Sequence, residues 1–137
     1  MHAYPAGDPI RDAGQQRLLD RLHVRLHPSL AMPTEVPLPI EGDLRAWDAM
    51  IRGVDWRRPA EAETVLDDIQ ALERRLALKV RDGGVDGVIL VIADTPRNRR
   101  ALASAPSSFS AFDRNARRVL AALATGRDPG GSSLILL

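Results

Sequence analysis

The chain has 137 residues, of which 45% are hydrophobic and 27% are charged, and its net charge is +1. This length and balance fit a single globular domain, and no apolar run approaches the roughly 18 residues that a membrane helix needs. Because cysteine is absent, disulfides, thiol nucleophiles and cysteine-bound zinc are excluded, which suits a cytoplasmic protein. The near-neutral charge excludes a strong overall attraction to nucleic acid, although the basic residues comprise eighteen arginines and a single lysine, Lys79.

The N-terminal residues do not have the pattern of a signal peptide, since no basic stretch is followed by an apolar one. They contain Pro5, Gly7 and Pro9, which disfavour regular structure. We therefore expect residues 1–14 to be a flexible lead-in and residues 15–137 to form one α/β domain.

The first half of the domain predicts one helix followed by three strands. Apolar residues recur at spacings of three and four before Pro28, which is typical of an amphipathic helix. The first strand contains Pro37 and Pro39, which place it at a sheet edge or make it irregular. The predicted elements are a helix over 15–26 and strands over 34–40, 44–51 and 60–64.

The second half predicts a helix, a buried strand and two further helices. Thr64 is the expected cap of the helix that follows the third strand, and this helix is expected to end at Gly83 and Gly84. The run VILVIA over 88–93 has no polar alternation, so we expect it at the sheet centre, buried on both faces. Asp94 and Thr95 are expected to cap a helix over 96–102, and another helix should begin near Ser110. The apolar run 134–137 is either a last strand or a packed tail.

The order αβββαβ, with Asp48 in the second strand and Glu61 and Glu63 on the third, resembles the PD-(D/E)XK fold of restriction-endonuclease-like proteins. That family has an aspartate on the second strand, an acid-x-lysine pair on the third and often a glutamine on the next helix. The corresponding residues are Asp48, Glu61 with Glu63 in the lysine position, and Gln70. The resemblance spans roughly 15–93. The sequence is also similar to the domain that follows a helix-turn-helix in actinobacterial-type transcription regulators. This similarity lies in the segments GDLRAWDAMI, EAET, QALERR and VILVIADT.

The resemblance implies a mixed central sheet flanked by helices and a metal-dependent nuclease centre. Neighbouring strands would place Asp48 and Glu61 side by side, where their carboxylates can share Mg²⁺. Such a cation activates water and neutralises charge on a cleaved phosphodiester. The motif lysine would stabilise developing negative charge, but Glu63 reverses the sign at that position, and Lys79 lies so far down the next helix that we expect it not to reach.

Simpler roles remain open for each of these residues. Asp48 can instead pair with Arg45 or Arg52, and the two glutamates can be solvent-facing acids before a helix. Gln70 can be an ordinary exposed helical residue. Arginines in two short clusters can contact DNA phosphates or belong to solvated helix faces. These arginines are Arg74, Arg97, Arg99 and Arg100.

Two functional hypotheses follow. The first is a nuclease-like domain that acts on or near DNA, with Asp48, Glu61, Glu63 and Gln70 as site residues and Mg²⁺ held by Asp48 and Glu61. The second is a catalytically silent regulatory or interaction module of a transcription regulator, which binds a partner protein or a second copy of itself. A homodimer is expected if the apolar run 134–137 is left exposed.

Overall fold

In the computed structural model, which describes residues 12–137, five strands form one mixed sheet that is flanked by four helices. The predicted fold class, a mixed central sheet flanked by helices, is confirmed. The elements in chain order are α1 (Ala13–His23), β1 (Thr34–Pro37), β2 (Ala46–Arg52), β3 (Arg57–Glu63), α2 (Ile69–Gly83), β4 (Ile89–Ile92), α3 (Pro96–Ala103), α4 (Ala116–Ala124) and β5 (Ser133–Leu136). The expected order αβββαβ is therefore observed from α1 to β4.

The strands lie in the order β1-β2-β3-β4-β5. β1, β2 and β3 are antiparallel neighbours, whereas β3, β4 and β5 are parallel. β1 lies at an edge, as its prolines predict, and ends at Pro37, two residues before Pro39, which cannot donate a ladder hydrogen bond. The apolar run near the C-terminus is the strand β5, so the first of its two predicted forms is confirmed.

Two hydrophobic cores lie on opposite faces of the sheet. One core contains residues of α1 and α4, including Leu19 and Leu123, and the other contains residues of α2 and α3, including Leu76 and Leu102. Every residue of β4 is fully buried, which confirms the prediction for this apolar run. The middle strand is however β3, because β5 takes the edge beyond β4.

α1 is fixed firmly to the end of β3. Its cap is Asp12, whose side chain accepts a 2.7 Å hydrogen bond from the backbone N–H of Gln15. The Gln15 side chain donates in turn to the carbonyl oxygen of Ala62 at 3.1 Å. The helix starts at Ala13, inside the expected lead-in 1–14, and the remainder of that lead-in, residues 1–11, lies outside the described residues.

α2 begins later than predicted because Thr64 does not cap it. Asp68 is the cap and accepts a hydrogen bond from Ala71 N–H. The preceding residues are held by Asn98, which is fully buried. Its side chain accepts from Leu66 N–H and donates to two backbone carbonyls, those of Thr64 and Ala93. The segment before the helix is thereby tied to α3 and does not continue as helix.

α3 is capped by Thr95 with Pro96 directly after it, as predicted. Asp94 does not share in the capping, because its carboxylate accepts two hydrogen bonds from Arg99. α4 starts at Ala116 instead of near Ser110, since Asn115 is the cap. None of the helices in residues 12–137 is both long and apolar enough to cross a bilayer.

Candidate active site where β2 and β3 separate

Two acidic side chains join β2 to β3 where the regular pairing of these strands stops. The pairing runs from Arg52 opposite Arg57 to Ala49 opposite Ala60. One residue further, the N–H of Asp48 donates to Glu61 Oε2 at 2.8 Å, and the N–H of Ala62 donates to Asp48 Oδ2 at 2.9 Å. Side-chain carboxylates therefore replace backbone carbonyls as the acceptors at this point, and the predicted proximity of Asp48 and Glu61 is observed.

β2 is irregular at the same point. Trp47 and Met50 are three residues apart, yet both pack into the core under α2, whereas strict alternation would send them to opposite faces. The register also places Glu35 of β1 opposite Asp48, and Glu35 has a positive φ of 52°. This local irregularity turns the Asp48 N–H toward β3, where it meets Glu61.

Lys79 reaches the acidic pair, so the expectation that it would not was wrong. Its Nζ donates to Glu61 Oε1 at 2.9 Å and to the carbonyl oxygen of Ala46 at 2.7 Å, and it lies 4.9 Å from the ring centroid of Trp47. The reason is that α2 returns across the sheet toward β2. A Cβ added to Gly83, near the end of α2, would lie only 3.0 Å from the Trp47 ring.

The site is deeply buried. Glu61 is 3% exposed and Lys79 is 6% exposed, whereas Asp48 is half-buried. Burial and the charge of Asp48 outweigh the favourable contacts of Lys79 and raise the pKa of Glu61 to about 7. Glu61 consequently changes its charge close to neutral pH, although an ordinary glutamate is ionised there.

Glu63 lies two residues further along β3, on the same side as Glu61, as predicted. Its carboxylate pairs with Arg75 at 3.0 Å. Burial raises the pKa of Glu63, and Arg75 opposes this shift. Glu63 thus contributes a charge that α2 already balances, and it does not join Asp48 through any hydrogen bond formed within residues 12–137.

The remaining predicted site residues lie elsewhere. Gln70 is exposed in the first turn of α2, and none of the hydrogen bonds around Asp48 and Glu61 within residues 12–137 involves it. Arg97 pairs with Asp67 and Arg99 with Asp94, so acids neutralise these two candidate phosphate contacts. The other two candidates, Arg74 and Arg100, are exposed and have no ion pair with an acid of the described chain.

The simpler alternatives for the acids are also corrected. Arg45 pairs with Asp43 and Asp82 and not with Asp48. Glu61 does not face solvent. No hydrogen bond within residues 12–137 connects Arg52 to Asp48.

The donor set fits a hard cation of the magnesium type. Residues 12–137 contain no group of three or more histidine, aspartate or glutamate side chains arranged around one metal position. Mg²⁺, however, commonly takes only one or two carboxylates and completes its coordination with water and substrate phosphate. Asp48 and Glu61 can supply two such carboxylates, and Asp48 is partly accessible.

Lys79 is the residue of the candidate site that sequence reasoning missed. It is the only lysine in the chain, and it lies in the apolar-flanked stretch LALKV of an otherwise arginine-rich helix. This unique use of lysine was an available signal. Lys79 is far from Glu61 in the sequence, and the two residues come together only because α2 folds back over the sheet.

Searches against protein-family models, curated proteins and solved structures found no match for this chain. The resemblance to the PD-(D/E)XK family therefore stays a prediction that rests on the order of the elements and on the residues quoted for it.

Proposed function

We propose that this domain hydrolyses phosphodiester bonds in DNA with the help of a divalent cation held by Asp48 and Glu61. The observation that carries the proposal is the buried Lys79–Glu61 ion pair next to Asp48. A folded protein with a buried ion pair is often less stable than the same protein with well-packed apolar side chains of similar volume at those positions. Strongly shifted pKa values of this kind concentrate at sites of chemistry, which favours a functional reason for keeping the charges.

Lys79 supplies the positive charge that Glu63 cannot. The PD-(D/E)XK pattern expects this charge on β3, and here Lys79 of α2 brings a positive charge that acts on both Glu61 and Glu63. The Ala46 carbonyl and the face of Trp47 hold the ammonium beside Glu61. A cation fixed in this way can stabilise negative charge that develops on a phosphate oxygen or an attacking hydroxide.

Asp48 and Glu61 would hold the metal ion, which supplies charge neutralisation and an activated water when bound. Ligation needs the carboxylate form, so affinity for the cation should rise with pH. Since the pKa of Glu61 is about 7, activity should increase as the pH passes through neutrality.

One observation favours the second hypothesis, a silent regulatory or interaction module. Both oxygens of Glu61 already accept hydrogen bonds, one from Asp48 N–H and one from Lys79. In a silent module, these bonds would only hold β2, β3 and α2 together. The two hypotheses differ in whether the carboxylates also respond to an added cation.

The test is cleavage of labelled single- and double-stranded DNA with Mg²⁺, with Mn²⁺ or with EDTA. We expect cation-dependent cleavage by the wild type, and loss of it in Asp48→Asn and Lys79→Met. Asp86→Asn is the matched control, because Asp86 is an exposed acid outside the site. Circular dichroism of each variant establishes that it is folded.

A melting curve with and without cation is the second readout. At about a hundredfold excess over its dissociation constant, a bound cation stabilises the folded state by about 2.7 kcal/mol. We expect this shift in the wild type and in Asp86→Asn but not in Asp48→Asn. Absence of both cleavage and the shift in the wild type would refute the nuclease and leave the silent module.

A further inference from the structure

A polar cleft of about 270 Å³ opens where the parallel strands β3, β4 and β5 end. Its walls come from α1 and from the residues that follow the three strands. Open α/β sheets commonly bind ligands just beyond the carboxyl ends of their parallel strands. The side chains that matter for its chemistry are Arg17, Arg21, Thr64, Asp94 and Thr95.

Two arginines of α1 give the cleft its charge. Arg17 and Arg21 are four residues apart and therefore lie on the same side of the helix, and both are exposed. Like charges at this spacing destabilise a helix. Asp20, the nearest acid on α1, hydrogen-bonds Gln16 instead. Arg17 has no ion pair with an acid of residues 12–137.

Asp94, the acidic side chain in the cleft, is paired with an arginine outside it. The carboxylate of Asp94 is held by Arg99 through hydrogen bonds of 2.6 and 2.9 Å. Arg21 makes one long hydrogen bond of 3.4 Å, to the main-chain oxygen of Leu137, which also accepts from Asp94 N–H at 3.0 Å. Thr95 accepts a hydrogen bond from Asn98 N–H, so its hydroxyl hydrogen is left to donate.

We infer that this cleft binds a phosphate group of a nucleic-acid backbone. A phosphate diester carries one negative charge and acceptor oxygens only, which matches two guanidinium groups and hydroxyl donors. The inference rests on the proposed function in one respect, because it takes the ligand to be nucleic acid. It does not depend on a cation or on cleavage.

Ala62 connects the cleft to the candidate active site. Its N–H donates to Asp48, and its carbonyl oxygen accepts from Gln15 of α1. A Cβ on Gly14 would lie 2.8 Å from the Thr64 side chain, so α1 packs tightly against the end of β3. Arg17 is therefore held close to β3, on the face of the sheet opposite to the one that carries Glu61 and Lys79.

The test is fluorescence anisotropy with labelled short DNA in EDTA, over a range of salt concentrations. The variant is Arg17→Gln/Arg21→Gln, and the control is Arg117→Gln/Arg127→Gln, which removes the same charge from exposed positions elsewhere. We expect the cleft variant to bind on the order of tenfold more weakly and its salt dependence to fall by about one phosphate contact. The control should change much less.

Inorganic phosphate is the second probe, measured by thermal shift against chloride at equal ionic strength. Weaker DNA binding in the cleft variant alone supports the inference. Equal weakening in both variants would mean that only overall charge matters, and would overturn it. Loss of the phosphate response with unchanged DNA binding would also overturn it, because the cleft would then take free phosphate.

Failure of the inference and failure of the proposed function give different results. Since binding is measured in EDTA, it does not require Asp48, Glu61 or a metal ion. Cleft-dependent binding without any cation-dependent cleavage would refute only the nuclease. Cation-dependent cleavage together with DNA binding that is unchanged in Arg17→Gln/Arg21→Gln would refute only the inference that the cleft binds phosphate.

Discussion

Replacing Lys79 with methionine should destabilise the domain by an amount that grows with pH. Methionine keeps the length of the apolar stem, so the main change is loss of the ammonium that donates to Glu61 and to the Ala46 carbonyl. Without this cation, the buried Glu61 faces the carboxylate of Asp48 and loses the ammonium that opposes the rise of its pKa. The pKa of Glu61, already about 7 in the wild type, should therefore rise further.

The magnitude follows from proton linkage. The folded-state pKa of Glu61 lies above its ordinary value of 4.5, so stability falls as the pH rises from about 4.5 to about 7. Above that range the wild type levels off, because Glu61 has lost its proton in both states. In Lys79→Met the pKa of Glu61 is higher still, so stability keeps falling above pH 7, by at most about 1.4 kcal/mol per pH unit.

The assay is urea unfolding of wild type and variant at several pH values. Between about pH 7 and 8.5 the difference in unfolding free energy should grow by up to about 2 kcal/mol, whereas below about pH 6 it should be constant. Arg74→Met is the matched control on the exposed side of the same helix. A difference that does not change with pH would refute the coupling between Lys79 and Glu61.

Three further predictions concern contacts outside the candidate site. Arg58 is 2% exposed, pairs with Asp128 at 2.6 Å, and leaves Nε and Nη1 without a partner within residues 12–137. Asp128→Asn should therefore cost about 3 kcal/mol in urea unfolding, and an equal loss in the Arg58→Met/Asp128→Asn double variant would contradict an uncompensated buried charge as the cause. Asn98→Ala leaves three backbone groups without their hydrogen-bond partner and should lower the free energy of unfolding by about 3 kcal/mol or more. A Tm equal to that of wild type would show that water replaces the amide. Gly87→Ala should be strongly destabilising, because its Cβ would lie 2.4 Å from the backbone of Gly131, and normal expression with an unchanged melting curve would exclude this close approach.

The periodicity of the sequence predicted the helices, the strands and the edge position of β1, since each depends on local patterning. It placed the start of α2 and of α4 too early. At α2 a side chain far along the chain decides the boundary, because Asn98 holds the segment before the helix. At α4 the cap is Asn115, and the turn region before it is held by a hydrogen bond from Phe109 N–H to Glu73 of α2. Local capping rules do not include such contacts.

The candidate site was predictable in part. Strand adjacency correctly placed Asp48 next to Glu61, because residues on neighbouring strands of a sheet come close whatever the loops do. The role of Lys79 depends on the direction in which α2 crosses the sheet, which no local pattern contains. Gln70 was assigned from the family resemblance, and its role stays a prediction, although the helix that carries it begins later than expected.

Two backbone amides that donate to carboxylates allow the charge of the site to be followed by NMR. The N–H groups of Asp48 and Ala62 donate to Glu61 and Asp48 instead of to carbonyl oxygens. Their NMR chemical shifts and their exchange with deuterium should consequently respond when Glu61 changes its charge, whereas amides elsewhere in β2 and β3 should respond much less. Two backbone protons are therefore local reporters of the charge state of the site, in the intact protein and without an added label.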